Sequence, residues 1–336
     1  MEDFEVVKLV NDNYDINVTN VVKIKNVYRL ETKEEDFCLK VVHYELGHFL
    51  FILEAIKHLI KRGFGSVPEI IFNKHGKDYI NFGDYYAYVT AWIAARECNY
   101  DNPLDLMLAS STLASLHKKS ENYIITKDMH PRDNWMKWNQ VFKTREEEIW
   151  DFKNRIEKRT KKTEFDNIYA NMVNEEIERA EKSINHLKVT DYINKMQLEK
   201  KKNGFCHHDY AHHNVLINKS GEISIIDFDY CILDTHLHDL SSLLIRKMKN
   251  GKWDLRSAVY IIDIYSSTYP ILEEDIGIMA AFMEFPQEFW QIGIQYYWEK
   301  QPWKEENFIS KLRKIEVDRN ERQEFLEEFG RIKYSC

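Results

Sequence analysis

Four histidines and three aspartates fall within residues 205–231, "FCHHDYAHHNVLINKSGEISIIDFDYC", and their order narrows the chemistry. His207-x-Asp209 is followed by Asn214, five residues beyond the aspartate, and then by Asp227. An aspartate that accepts a hydroxyl proton, an amide oxygen and a second carboxylate form a hard-oxygen set suited to Mg²⁺ and a γ-phosphate. The histidines also admit a metal cage. His208 and His212 are four apart, which on a helix places both on one face and suits zinc. Local pattern decides against that spacing having meaning. "NVLIN" and "ISIIDFD" are β-branched runs flanking "KSGE", so the segment reads as a loop followed by a short hairpin with Asp227 at its far end.

His208-Asp209 and His238-Asp239 each supply the dipeptide of HD phosphohydrolases, but that chemistry is built on bundled helices. The order H-x-D-x-x-x-x-N then D, split by a hairpin, is instead that of a kinase catalytic loop and its metal-binding strand. Such a site also needs a strand lysine for the α and β phosphates and a helical glutamate to hold it. Lys40 ends the strand pattern "DFCLK", and Glu54 lies fourteen residues on, within the helical pattern "FLFILEAIKHLIKRG". The competing readings are an edge-strand charge for Lys40 and a solvated helix face for Glu54. Phe51, Ile52, Leu53, Ala55 and Ile56 leave the face of Glu54 undetermined.

The elements that must carry these residues change character along the chain. Up to Val89 the sequence is a series of short β-rich runs with one helix among them; after Pro103 the spacing becomes helical, first in "PLDLMLASSTLASLHKKS",. From Arg132 to Asn203 there is no Gly or Pro, and Trp135, Trp138 and Phe142, then Phe165, Ile168 and Met172, recur at helical intervals. The expectation is an α+β, two-lobed fold: a small β-rich N-terminal lobe over 1–93 ending in a hinge, and a mainly helical lobe over 94–336 that carries the 205–231 loop.

Composition excludes several classes. With 336 residues, 44% hydrophobic and 30% charged, the chain has enough apolar residues for a buried core. A formal net charge of −8 gives no basic stripe for nucleic acid. Five widely spaced cysteines without a C-x-x-C pair disfavour a disulfide or zinc scaffold and fit cytoplasmic synthesis. No apolar run reaches membrane-spanning length, so membrane insertion is not expected.

"LASLHKKS", "HHDYAHHNVLI", "IDFDYC" and "HDLSSLL" resemble the aminoglycoside phosphotransferase and choline kinase branch of the protein-kinase-like fold. Within it, "NYDNPLDLML" and "FPQEFWQIGIQYYWEKQPW" resemble the CotS family of spore coat proteins, over nearly the whole chain. The resemblance implies ATP in an interlobe cleft, Mg²⁺, a small-molecule acceptor, and synthesis in the mother-cell cytoplasm followed by entry into the spore coat beside other coat proteins. It makes Asp209 the catalytic aspartate, Asn214 and Asp227 the Mg²⁺ ligands, and Lys40 the phosphate-binding lysine. His207 becomes a structural residue of the loop and Asp239 a buried brace for it. The hinge falls at Val89–Ile93, where the backbone of Thr90 and Trp92 would meet adenine.

The chain departs from kinase patterns in four places. No glycine lies between Asn11 and Asp36, so backbone near Thr19 and Asn20 would have to cover the phosphates. His208 stands where H-R-D has arginine, no lysine stands two residues after Asp209, and Ala91 replaces an acidic hinge residue. Phe289, Tyr296 and Trp303 recur every seven residues. The aromatic segment 282–308 therefore reads as a buried stripe, with an aromatic cage for a quaternary ammonium or sugar as the alternative. Two functions remain open. One is a Mg-ATP-dependent kinase of a small hydroxyl- or amine-bearing metabolite; the other is a weakly active or inactive kinase-fold component of the coat.

Overall fold

The structure, a computed structural model, describes residues 2–334. Packing divides the chain into two compact units, Met1–Arg132 together with His207–Ile232, and Asp133–Cys206 together with Leu233–Cys336.

The first unit opens with α1 (Asp3–Asn13), which adds a second helix to the one read from the sequence ahead of residue 93. Glu5 reaches back to the Glu2 backbone, and Val6 and Val10, one turn apart, are the buried anchors,. Strands β1 (Asn20–Ile24), β2 (Val27–Glu31), β3 (Phe37–Val42), β4 (Ile70–Ile71), β5 (Ile80–Phe82) and β6 (Tyr85–Ala91) form an antiparallel sheet. Its order is β1-β2-β3-β6-β4, with β5 also on β6. β3 therefore has a neighbour on each side. Lys40 lies opposite Val27 of β2 and Tyr88 of β6 and is buried, so the edge-strand reading of this lysine is wrong. α2 (Leu46–Lys61) follows β3 as expected. β7 (Ala95–Glu97) leads into α3 (Pro103–Ser120), whose first turn is capped by Asn102 and begins with proline,.

The predicted hairpin is present as β8 (Val215–Asn218) and β9 (Ile223–Ile225), and β7 extends it into a three-stranded sheet. Its turn closes on Gly221 at φ +86°, a left-handed conformation that costs glycine little.

The second unit is helical: α4 (Trp138–Glu157), α5 (Glu164–Val189), α6 (Tyr192–Lys202), α7 (His236–Met248), α8 (Leu255–Ser266), α9 (Glu273–Glu284), α10 (Gln287–Gly293) and α11 (Glu305–Phe329). α5 packs against α4, α9 and α11, around a core that includes Phe152, Phe165, Tyr169, Phe289, Tyr297 and Phe308. The aromatic segment is thus mainly core, but not by its heptad. Residues Ile294–Trp298 wind as a π-helix, whose extra residue per turn carries the buried position from Tyr296 to Tyr297. Trp303 lies beyond that turn, half out in solvent. Gly293 marks where α10 meets α4 and α5: a Cβ there would come 2.5 Å from the Phe152 ring and 2.7 Å from the Tyr169 hydroxyl.

Candidate active site

β3, β6 and the β8–β9 hairpin bring some of the predicted residues to one place within the first unit; Asp209 is not among the residues that line it. Lys40, residues 90–93, Asn214 and Asp227 line a single cavity of about 390 Å³. Ile24, Val27, Ile56, Leu216 and Ile225 give it apolar walls. Lys40, Asn214 and Asp227 supply charge and polarity. A cavity of that size with a few convergent polar groups is what a small ligand or cofactor requires.

The cation is tightly held. Lys40 Nζ is 2.5 Å from Asp227 Oδ1 and 2.7 Å from Asp229 Oδ1. Burial pulls the ammonium pKa down, but Asp229 and Asp227 outweigh it and the net shift is upward,. Asp227 moves the other way: burial raises its carboxyl, Lys40 opposes this, and the pKa lies below the usual carboxylate value. Asp227 adopts φ +66° and His208 φ +69°. Left-handed backbone at non-glycine residues costs on the order of 1–2 kcal/mol each and clusters at functional sites.

Asn214 fixes Asp209. Its Nδ2 donates to the Asp209 carbonyl at 2.9 Å and to Asp209 Oδ2 at 3.1 Å. The amide oxygen is then the atom Asn214 can offer a cation, and with Asp227 it makes an oxygen set that suits Mg²⁺. His207 is fully buried, and its Nε2 donates to the Ile226 carbonyl at 2.9 Å. Its ring meets Phe228 edge-on at 4.7 Å, tying the loop to the residues on both sides of Asp227. Asp239 is fully buried in the first turn of α7 beside His238.

Other candidates sit elsewhere. Glu54 is placed against Lys57, which also binds Asp78 at 2.5 Å, and not against Lys40. α2 buries most of its circumference, and Glu54, Lys57 and Lys61 share the remaining strip; a lysine three residues on was the signal. Thr19 and Asn20 lie at the far end of the β1–β2 hairpin, bonded to Glu31. The register closes that hairpin between Ile24 and Val27, so Lys25 and Asn26, not Thr19 and Asn20, reach the cavity. Lys25 takes φ +53°. Cys38, opposite Thr90, also lines the cavity; burial pushes its thiol up to about 11, against the opposing influence of Lys40.

A sequence-family profile described as "Spore coat putative kinase YutH" matches residues 7–329. The chain belongs to this YutH spore-coat family. Spore coat protein S of Bacillus subtilis (strain 168) is 21% identical over 310 residues, 92% of this chain and 88% of that protein. The crystal structure of an aminoglycoside phosphotransferase from Alicyclobacillus acidocaldarius subsp. acidocaldarius DSM 446 is similar with a TM-score of 0.83 at 20% identity, covering 96% of this chain and 94% of that one. A spectinomycin phosphotransferase solved with ADP and spectinomycin aligns with a TM-score of 0.71 at 15% identity, covering 99% of both chains. The YutH-family chain therefore has the kinase-like α+β fold expected from its motifs.

Proposed function

We propose that this chain is a spore-coat-associated phosphotransferase that uses Mg-ATP to phosphorylate a small hydroxyl- or amine-bearing metabolite. The observation that carries the reading is the convergence of Lys40, residues 90–93, Asn214 and Asp227 on one cavity. Residues 1–93 act as the nucleotide-binding lobe, with the backbone at Thr90 and Trp92 meeting adenine and Lys40 meeting the phosphates. Asn214 and Asp227 would hold Mg²⁺, which supplies charge neutralisation at the β and γ phosphates. Asp209, its carboxylate set by Asn214, accepts the acceptor's proton. His207 orients the loop, and Asp239 braces it. ADP in the spectinomycin phosphotransferase structure supports the nucleotide assignment. The coat protein S relationship supports synthesis in the mother cell and deposition in the coat beside other coat proteins.

Thermal melting tests the assignment. Mg²⁺ and ATP together should raise the melting temperature, as binding to the native state at one hundred times Kd contributes about 2.7 kcal/mol. Asp227→Ala should abolish the rise. A wild-type protein indifferent to millimolar Mg-ATP overturns the reading.

One observation favours a second reading, a kinase-fold component retained for coat assembly. The turn at the cavity is Lys25-Asn26, where kinases place glycines that let backbone amides approach phosphate. Under that reading an Asp209→Asn protein enters spores at the wild-type level and spores lacking its chemistry are unchanged.

A further inference from the structure

We infer that Asp229, not the helical Glu54, is the carboxylate that positions Lys40 for a nucleotide's phosphates. The inference rests on the nucleotide-site reading above. Of the two carboxylates on Lys40, Asp227 lines the cavity and Asp229 does not. A metal held by Asp227 would draw that carboxylate away from the lysine. Asp229 reaches Nζ at 2.7 Å from outside the cavity, where a permanent holder must stand if the lysine is also to meet phosphate.

Asp229 is itself gripped by the start of α2. The Tyr44 hydroxyl donates to Asp229 Oδ1 at 3.1 Å, and the His48 ring donates from Nε2 to the Asp229 carbonyl at 3.2 Å. Both groups belong to the chain entering α2 or its first turn. Glu54 lies further along α2 and faces Lys57. The helix that follows β3 thus still controls the lysine, but through Tyr44 and His48 acting on a carboxylate from the metal-strand side. In sequence terms the holder is the last aspartate of "IDFD".

The test compares ligands with and without phosphates, by calorimetric titration of the full chain with Mg-ATP, with ATP in EDTA, and with adenosine. Asp229→Asn should weaken ATP about tenfold in both metal conditions and leave adenosine unchanged. Asp229→Glu should recover most of the loss, and Glu54→Gln should bind all three as wild type does. In a Lys40→Met background, Asp229→Asn should have no further effect, because its influence runs through the lysine. Loss confined to the Mg²⁺ condition would make Asp229 a metal ligand and overturn the inference. So would loss in Glu54→Gln, or wild-type ATP affinity in Asp229→Asn, and in those cases the cavity assignment stands. A wild-type chain that binds neither ATP nor adenosine removes the assignment and the inference together. Should Asp229→Asn lose adenosine binding through misfolding, Tyr44→Phe decides: a several-fold loss for ATP alone supports the positioning role, and unchanged affinity overturns it.

Discussion

Two lysine–aspartate clusters in this molecule use the same groups to opposite ends. In the first unit Lys40 meets Asp227 and Asp229, whose side chains keep 28% and 19% of their surface in solvent. In the second, Lys195 of α6 meets Asp275 of α9 at 2.7 Å with the carboxylate fully buried. Asp275 also accepts from the Leu272 amide at 2.9 Å and so caps its own helix. Burial pushes the Asp275 carboxyl up in spite of Lys195, whereas Asp227 is held down. A pair sealed between helices costs so much desolvation that its gain is in specifying one arrangement. At the wall of the cavity Lys40 is as buried as Lys195, but its carboxylates keep part of their surface in solvent, and an incoming cation can take one of them from the lysine.

The largest expected effect separates chemistry from stability. Asp209→Asn should lower turnover by 10² to 10⁴, about 3–5 kcal/mol of barrier, while retaining the melting shift with Mg-ATP. ADP formation with fractionated mother-cell extract is the measurement, and equal ADP formation by both proteins would count against a catalytic role. Next is the contrast of the lysines. Lys195→Met leaves Asp275 buried without its counter-ion and should cost about 3–5 kcal/mol in urea unfolding. Lys40→Met should cost about 1 kcal/mol or less, since the carboxylates it leaves behind reach water, yet it should lose ATP affinity. Similar unfolding costs for both would break the comparison.

A third test uses pH. Asp234 is buried among Trp138 Nε1 at 2.9 Å, Asn134 Nδ2 at 2.7 Å and the Thr235 amide at 2.8 Å. Burial raises its carboxyl to about 6, with His238 opposing. Its folded-state pKa therefore exceeds the ordinary value near 3.9, and the stability tied to its proton is complete below about pH 4 and lost as pH rises through 6. The stability of wild type relative to Asp234→Asn should fall by about 2 kcal/mol from pH 4 to pH 7. A difference independent of pH would show that the carboxyl titrates normally. A further test is at Asp239, where Asp239→Ala should cost about 1–3 kcal/mol by leaving partners unsatisfied; a neutral mutant would reject a bracing role.

The site was legible where the signal is local. Asp209, Asn214 and Asp227 come from one loop and one hairpin, whose turn residues and β-branched runs specify their own geometry. The start of α3 follows from Asn102 and Pro103. What escaped is set by distant partners. No periodicity links Lys40 to Asp229, which lies 189 positions on by the numbering, or places β7 against β8. The face of Glu54 stayed undetermined because α2 is apolar on nearly every side, so its pattern selects no face. The hairpin turn at Lys25-Asn26 was missed because neither residue is glycine, although asparagine tolerates such turns. The aromatic heptad failed at the π-helix, where packing against Phe152 and Tyr169 overrides a fixed helical period.

The interruption of the first unit has a consequence for synthesis. Residues 1–132 emerge from the ribosome without β8, β9, Asp227 or Asp229, leaving β7 unpaired by β8 and the Lys40 ammonium without its carboxylates. The whole of 133–206 must be translated before the missing strands appear, a wait of about 4–15 seconds at roughly 5–20 residues per second. A nascent chain held at that stage carries an open strand edge, which can template pairing with another chain.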